Sequence, residues 1–353
     1  MHRNRMLALC AFGVALAGCG SLANSVTSPS ATGNSPLLSL NSLTQVRYVG
    51  GDNVWLTANN SGFYELFDFN TATKTASFIT PPGISGESGI SYAYNPNLGG
   101  VLGFYPYQSL LHSPIVFTKD YGHSWASVNV DVKMAPIFDA LALSNDQIYV
   151  AEGGGKVATG APGATSFQTL PPLPGNVVGI YGLTDGVVAI VSSSGSTVVD
   201  RYLESSTTWT KVASFSGTAV KGSELINGSQ LEVGICSQSG SKIAGEIFDG
   251  NALAPAFSSQ TSGTLAGCVT DNTSNGVSLG ALVRQPSGVD LVDGGGQKAL
   301  NKGVTSYVAT GSINLSIAPY ANGIHLVDTS NNVDYADHIN AAIANYVNQY
   351  QGG

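Results

Sequence analysis

Few side chains in this chain could do chemistry, and their spacing is informative. His112, His123, His325 and His338 are scattered, with no two at the short separations that metal ligands show. No Cys-x-x-Cys-His run, Gly-x-Ser-x-Gly elbow or phosphate-cradling glycine loop occurs. The run Asp271-Asn272-Thr273-Ser274-Asn275-Gly276 is rich in oxygen ligands, but no glutamate follows where a calcium loop needs its bidentate ligand, so it reads as a turn. Cys236 and Cys268 lie 32 residues apart in strand-like runs. In an oxidising compartment they can form a disulfide worth about 3–4 kcal/mol; two separate buried thiols are the alternative. The densest local signal is Thr118-Lys119-Asp120-Tyr121-Gly122-His123-Ser124-Trp125. It reads as a hairpin: Asp120 accepts bonds from turn amides, Gly122 takes a positive φ, and Trp125 packs beneath. Thr118, Asp120, Gly122 and Trp125 are therefore structural residues. No catalytic residue, metal or cofactor is expected.

The elements that must position these residues are short strands. Runs of β-branched and aromatic residues are bounded by Gly, Asn, Asp, Ser and Pro. One type of run recurs seven times, beginning at Val54, Val101, Ile148, Val187, Leu231, Ser278 and Ile313, with steps of 47, 47, 39, 44, 47 and 35 residues. A shorter strand precedes each and another follows. A period near 40–45 with about four strands per unit predicts an all-β chain folded as a seven-bladed β-propeller over residues 42–331. The last unit has three recognisable strands, and Pro36–Leu40 is a natural donor of the fourth. Beyond Asn332, Tyr335, Ile339, Ile343, Tyr346, Val347 and Tyr350 recur at helical spacing, with Asp334 and Asp337 in the first turn. This predicts a short C-terminal helix over 333–350, within a segment 332–353, capping the propeller rim.

Composition agrees with that reading. The 353 residues include 44 glycines and only 10% charged side chains, which excludes a long helical or coiled-coil protein. A hydrophobic content of 43% suffices for a core. Arg3 and Arg5 precede the apolar stretch from Met6 to Leu16, the form of an export leader too short to span a membrane stably. Residues 20–41 carry no charge and are rich in Ser, Asn, Thr, Pro and Gly, the composition of a flexible tether. Beyond the leader, 12 basic residues face 22 acidic ones, a balance of about −10 without a basic cluster. That argues against nucleic acid and against an anionic lipid surface.

Two resemblances add to this. Leu16-Ala17-Gly18-Cys19 resembles the lipobox of bacterial lipoproteins. The resemblance implies a signal peptide over residues 1–18, a diacylglycerol on Cys19, and a membrane anchor without a membrane span. Gly20-Ser21 in place of an aspartate after the cysteine implies sorting to the outer membrane. The Thr118–Trp125 run resembles the Asp-box, and residues 203–209 resemble a worn copy in which the Asp and Gly are missing. Asp-boxes occur in the propellers of sialidases, sortilin-type receptors and photosystem II assembly-factor-like proteins, where they lie at the blade periphery. Sialidases hold a carboxylate with three arginines, and exactly this number follows Cys19: Arg47, Arg201 and Arg284. However, Arg47 is followed by Tyr48-Val49 in place of the Ile-Pro of sialidases. The expectation is a non-enzymatic binding or scaffold module, lipid-anchored in the cell envelope, presenting a propeller face to a protein or glycan partner. A sialidase-like glycosidase or an assembly factor for an envelope complex are the alternatives.

Overall fold

The structure is a computed structural model that describes residues 43–335, apart from 61–62, 82–88, 106–111, 129, 274–275, 301–302, 312, 321–322 and 329–332. The chain forms seven consecutive antiparallel units of four strands, each hydrogen-bonded in chain order, and so an all-β, seven-bladed propeller. Blades six and seven also join edge to edge. The innermost strand of blade six, Thr264–Thr273, pairs in parallel with that of blade seven, Ser306–Gly311. Among the described residues no helix is long and apolar enough to cross a membrane.

The seven recurrent runs are all second strands of their blades, from Asn53–Asn60 in blade one to Ile313–Tyr320 in blade seven. Each is covered on both faces by neighbouring blades. Val187, Val188, Ala189, Ile190 and Val191 are all buried, for example, which is why the runs read as continuous apolar sequence rather than as alternation. The outermost strands are wet. Gly296–Leu300 of blade six is exposed along nearly its whole length. The cores are therefore the interfaces between blades. Trp55 of blade one packs edge-on against Tyr92 and Tyr94 of blade two, with ring centroids 5.7 and 5.6 Å away.

Ring closure differs from the sequence expectation. The fourth strand of blade seven is Val333–Asp334, paired with Gly323–Asp328 through Asp328–Val333 and Val327–Asp334. The helix expected from residue 333 does not begin there, because the β-branched Val333 finds an open strand edge. Tyr335 then turns inward and packs on Phe69 of blade one, centroids 5.0 Å apart, within the apolar seam of blades one and seven. Ser306 of blade seven clasps blade one as well. Its hydroxyl accepts from Val46 N at 3.0 Å and donates to Val46 O at 3.2 Å. Cys19, the tether 19–41, the strand donor Pro36–Leu40 and the segment beyond Tyr335 lie outside the described residues.

Cys236 and Cys268 form a disulfide, with Cα atoms 5.4 Å apart. It links the second strand of blade five, Gln230–Ser239, to the innermost strand of blade six. The bridge thus runs across a blade interface, between two sheets that share no ladder bonds.

Candidate functional site

The Thr118–Trp125 turn joins the third and fourth strands of blade two, Ile115–Thr118 and Ala126–Val128. Asp120 Oδ1 accepts from Ser124 N at 2.8 Å and from the Thr118 hydroxyl at 2.7 Å, and Ser124 Oγ donates to Oδ2 at 2.6 Å. Burial works to raise the Asp120 carboxyl, but the bonds from Ser124 and Thr118 together hold it below its ordinary range. Gly122 has φ +92°, and a Cβ there would meet Ile79 Cδ1 at 2.7 Å. Trp125 Nε1 donates to Ile79 O of blade one at 2.7 Å. Trp209 repeats the contact in blade four, donating to Pro171 O of blade three at 2.8 Å. Each tryptophan thus fastens its blade to the preceding one.

This turn lies at the outer rim, at the end of the propeller where first strands pass into second strands. The concave site is elsewhere. At the opposite end, where the innermost strands begin, a cavity of about 640 Å³ opens on the axis. That is the size of a small-ligand site. Its walls come from the innermost strands of blades one, four, five, six and seven and from Phe138–Asp139 at the entry to blade three.

The floor gathers one polar residue from each of several blades. Arg47 of blade one ion-pairs with Asp139 of blade three. Its other terminal nitrogen donates to Tyr92 O of blade two at 2.6 Å, and the guanidinium lies 4.9 Å over the Tyr92 ring. Both members of the ion pair are only 17% exposed. Tyr181 of blade four donates to Asp139 Oδ2 at 2.9 Å. Glu224 of blade five accepts from Gly182 N of blade four at 3.0 Å and from the amide of Tyr94 in blade two. Asn97 of blade two donates to Ser229 O of blade five at 2.9 Å, drawing the ring together beneath the floor.

Electrostatics separate these groups. Burial opposes the Arg47 charge, yet Asp139, Tyr92 and Glu224 together raise its pKa above the ordinary arginine value, so it stays a cation. Burial pushes the Tyr92 phenol up to about 12, although Arg47 pulls the other way. Burial, helped by Asp139, raises the Tyr181 phenol well above its ordinary value. Glu224 is pushed up to about 7, chiefly by burial, against the pull of Arg47 and the two amides.

Above the floor, two apolar side chains face solvent. Phe138 is 49% exposed and Val178 of blade four 45%, and both line the cavity. Leaving a phenylalanine open to water is unfavourable unless something covers it. The arrangement is an amphipathic funnel: hydroxyl-bearing and apolar walls over a compact charged network.

The three arginines are not brought together. Arg47 is in the funnel floor. Arg201, on the third strand of blade four, donates to Gly250 O and lies over Phe248 of blade five, 6.0 Å from the ring centroid. Arg284 is exposed on the second strand of blade six. Of the run 271–276, Asp271–Thr273 end the innermost strand of that blade and Gly276 begins the second, while 274–275 lie outside the described residues. Among the described residues no three His, Cys, Asp or Glu side chains gather as a metal would need. Cys268 lines the funnel wall, so the disulfide borders the cavity.

Asp139, Tyr181, Glu224, Phe138 and Val178 were not singled out by sequence reasoning. One pattern could have found the polar ones. Arg47, Tyr92, Asp139, Tyr181 and Glu224 each stand six to nine positions ahead of a recurrent middle strand, in five consecutive blades.

No family model and no curated protein matches the chain. Solved structures match it as a fold. A Kuenenia stuttgartiensis hydrazine synthase chain aligns with TM-score 0.56 and 11% identity, covering 86% of this chain and 99% of that one. The Cps50 (Swd1) β-propeller domain of Myceliophteria thermophila aligns with TM-score 0.53 and 11% identity, over 83% and 99% of the two chains. A putative 6-phosphogluconolactonase from Bacteroides fragilis aligns with TM-score 0.50 and 14% identity, over 87% and 94%. At such identities the likeness is one of fold.

Proposed function

We propose that this protein is a lipid-anchored binding module of the bacterial cell envelope. Cys19 carries the acyl chains, residues 20–41 tether the domain, and the outer membrane is the site of anchoring. The propeller is a rigid platform, and its axial funnel is the face that takes a protein or glycan partner. The observation that carries this reading is the funnel itself, with Phe138 and Val178 left exposed above a floor built from several blades. The binding reading is preferred to catalysis because Arg47 has both terminal nitrogens engaged within the protein, and Arg201 and Arg284 lie on other strands.

The test has two arms. In a bacterial host fed a labelled fatty acid, the wild-type chain becomes labelled and sediments with membranes, while Cys19→Ser does neither. In crosslinked native membranes, wild type retains a partner that Val178→Trp, which fills the funnel, does not. Unchanged labelling of Cys19→Ser removes the anchor. Unchanged partner recovery with Val178→Trp removes the funnel as the binding face.

A further inference from the structure

The floor chemistry narrows what the funnel can hold. The charged residues that line the cavity are Arg47, Asp139 and Glu224 in the floor and Lys221 on the exposed wall. Arg47 is committed to Asp139, to Tyr92 O and to the face of the Tyr92 ring. An incoming anion would have to break that pairing and would then face two carboxylates. Tyr181 is a donor already spent on Asp139. The wall from blade six carries Gly267, Val269 and Thr270, and its cysteine is tied in the disulfide. Lys221, on the same strand as Glu224, is exposed to water, where its charge is screened. Glu224 accepts two backbone amides but, among the described residues, makes no ion-pair contact, so it is the floor carboxylate whose charge an occupant can meet. With Glu224 ionised the floor carries a net −1. Phe138 and Val178 supply apolar surface above, and a phenyl face also attracts cations.

We propose that the funnel binds a protonated amine carried on an apolar arm, with the ammonium at Glu224 and the arm against Phe138 and Val178. This rests on the funnel being the binding face. The amine can come from a free small molecule or from a lysine side chain of a partner.

Binding is then linked to the proton on Glu224. That carboxyl is pushed up to about 7 in the empty funnel, and a bound cation favours its ionised form. Below pH 7 the ammonium must first displace a proton, so affinity falls about tenfold per pH unit; above it, affinity levels off. The sign is opposite for an anionic ligand.

The experiment is calorimetric titration of the full chain with three probes that share a phenyl arm: phenethylammonium, 3-phenylpropan-1-ol and 3-phenylpropionate. Phenethylammonium is expected to bind about tenfold more tightly at pH 8 than at pH 6, releasing protons at pH 6, and about tenfold more tightly than the alcohol or acid at pH 8. Glu224→Gln, checked for retained melting temperature, is expected to abolish the pH dependence. A capped Gly-Lys-Gly peptide beside its acetyl-lysine form distinguishes the sources: binding of the first alone assigns a protein-borne amine as well. The inference is overturned if phenethylammonium does not bind, or if its affinity is the same at pH 6 and 8. Tighter binding of the alcohol or acid, lost in Val178→Trp, also overturns it and leaves the funnel as the binding face.

Discussion

Individual side chains in the blade interfaces set how this protein responds to pH. Asp68 lies on the third strand of blade one, opposite Trp55, and burial pushes its carboxyl up to about 7. Burial likewise raises Glu65 well above its ordinary range, against a bond from Thr80, and raises Glu224. In each case the folded state holds a proton that the unfolded chain releases. The contribution of these groups to stability is therefore greatest at low pH and falls as pH rises from about 4 to about 7. Asp68→Asn is expected to match wild type near pH 4 and to exceed it at pH 8 by roughly 2–4 kcal/mol in urea titrations. A difference between Asp68→Asn and wild type that does not grow across that window would contradict the buried carboxyl. At the rim, Trp125 is partly exposed and holds blade two to Ile79 of blade one. Its truncation to alanine is expected to cost about 2–3 kcal/mol, below the range for a fully buried ring. An unchanged melting curve would show that the indole does not clasp the blades.

The elements differ in how clearly the sequence announces them. The middle strands are legible because both faces are buried, so Val187–Val191 or Ile148–Ala151 read as apolar runs at a regular period. The closing strand is not legible, because Val333–Asp334 is two residues long and carries no period of its own. Tyr335 fits a helical stripe as well as it fits the seam where it packs on Phe69. The site is obscure for another reason. Arg47, Asp139, Tyr181 and Glu224 sit on separate blades up to 177 residues apart, and only closure of the ring makes them neighbours. Arg47 was visible by type but not by role, since its partner Asp139 belongs to a turn. Two element-level outcomes follow. Tyr335→Ala is expected to destabilise by about 2–4 kcal/mol and to speed amide exchange first in blades one and seven; uniform exchange across all blades would contradict a local seam. Cys236→Ser with Cys268→Ser is expected to lose about 3–4 kcal/mol under oxidising conditions, and the wild type to fall to that level in reductant.

At the scale of the whole molecule, seven weakly specialised blades make one specialised place. Five blades line it with inner strands and blade three with the turn at Phe138–Asp139, and the ring turns single polar residues into a floor and single apolar ones into a wall. The two ends of the propeller are unlike. The funnel mouth lies where inner strands begin, whereas the Thr118–Trp125 turn and Asn251 lie at the other end. The surface chemistry of the two ends is what distinguishes them as binding faces. The most direct test places a photo-activated crosslinking side chain at Phe138 in the funnel, at Asn251 at the opposite end, and at Lys298 on the outer strand of blade six. Irradiation in native membranes is expected to yield a discrete adduct from position 138 alone, competed away by phenethylammonium. Equal adducts from 251 or 298, with none from 138, would contradict the funnel as the binding face.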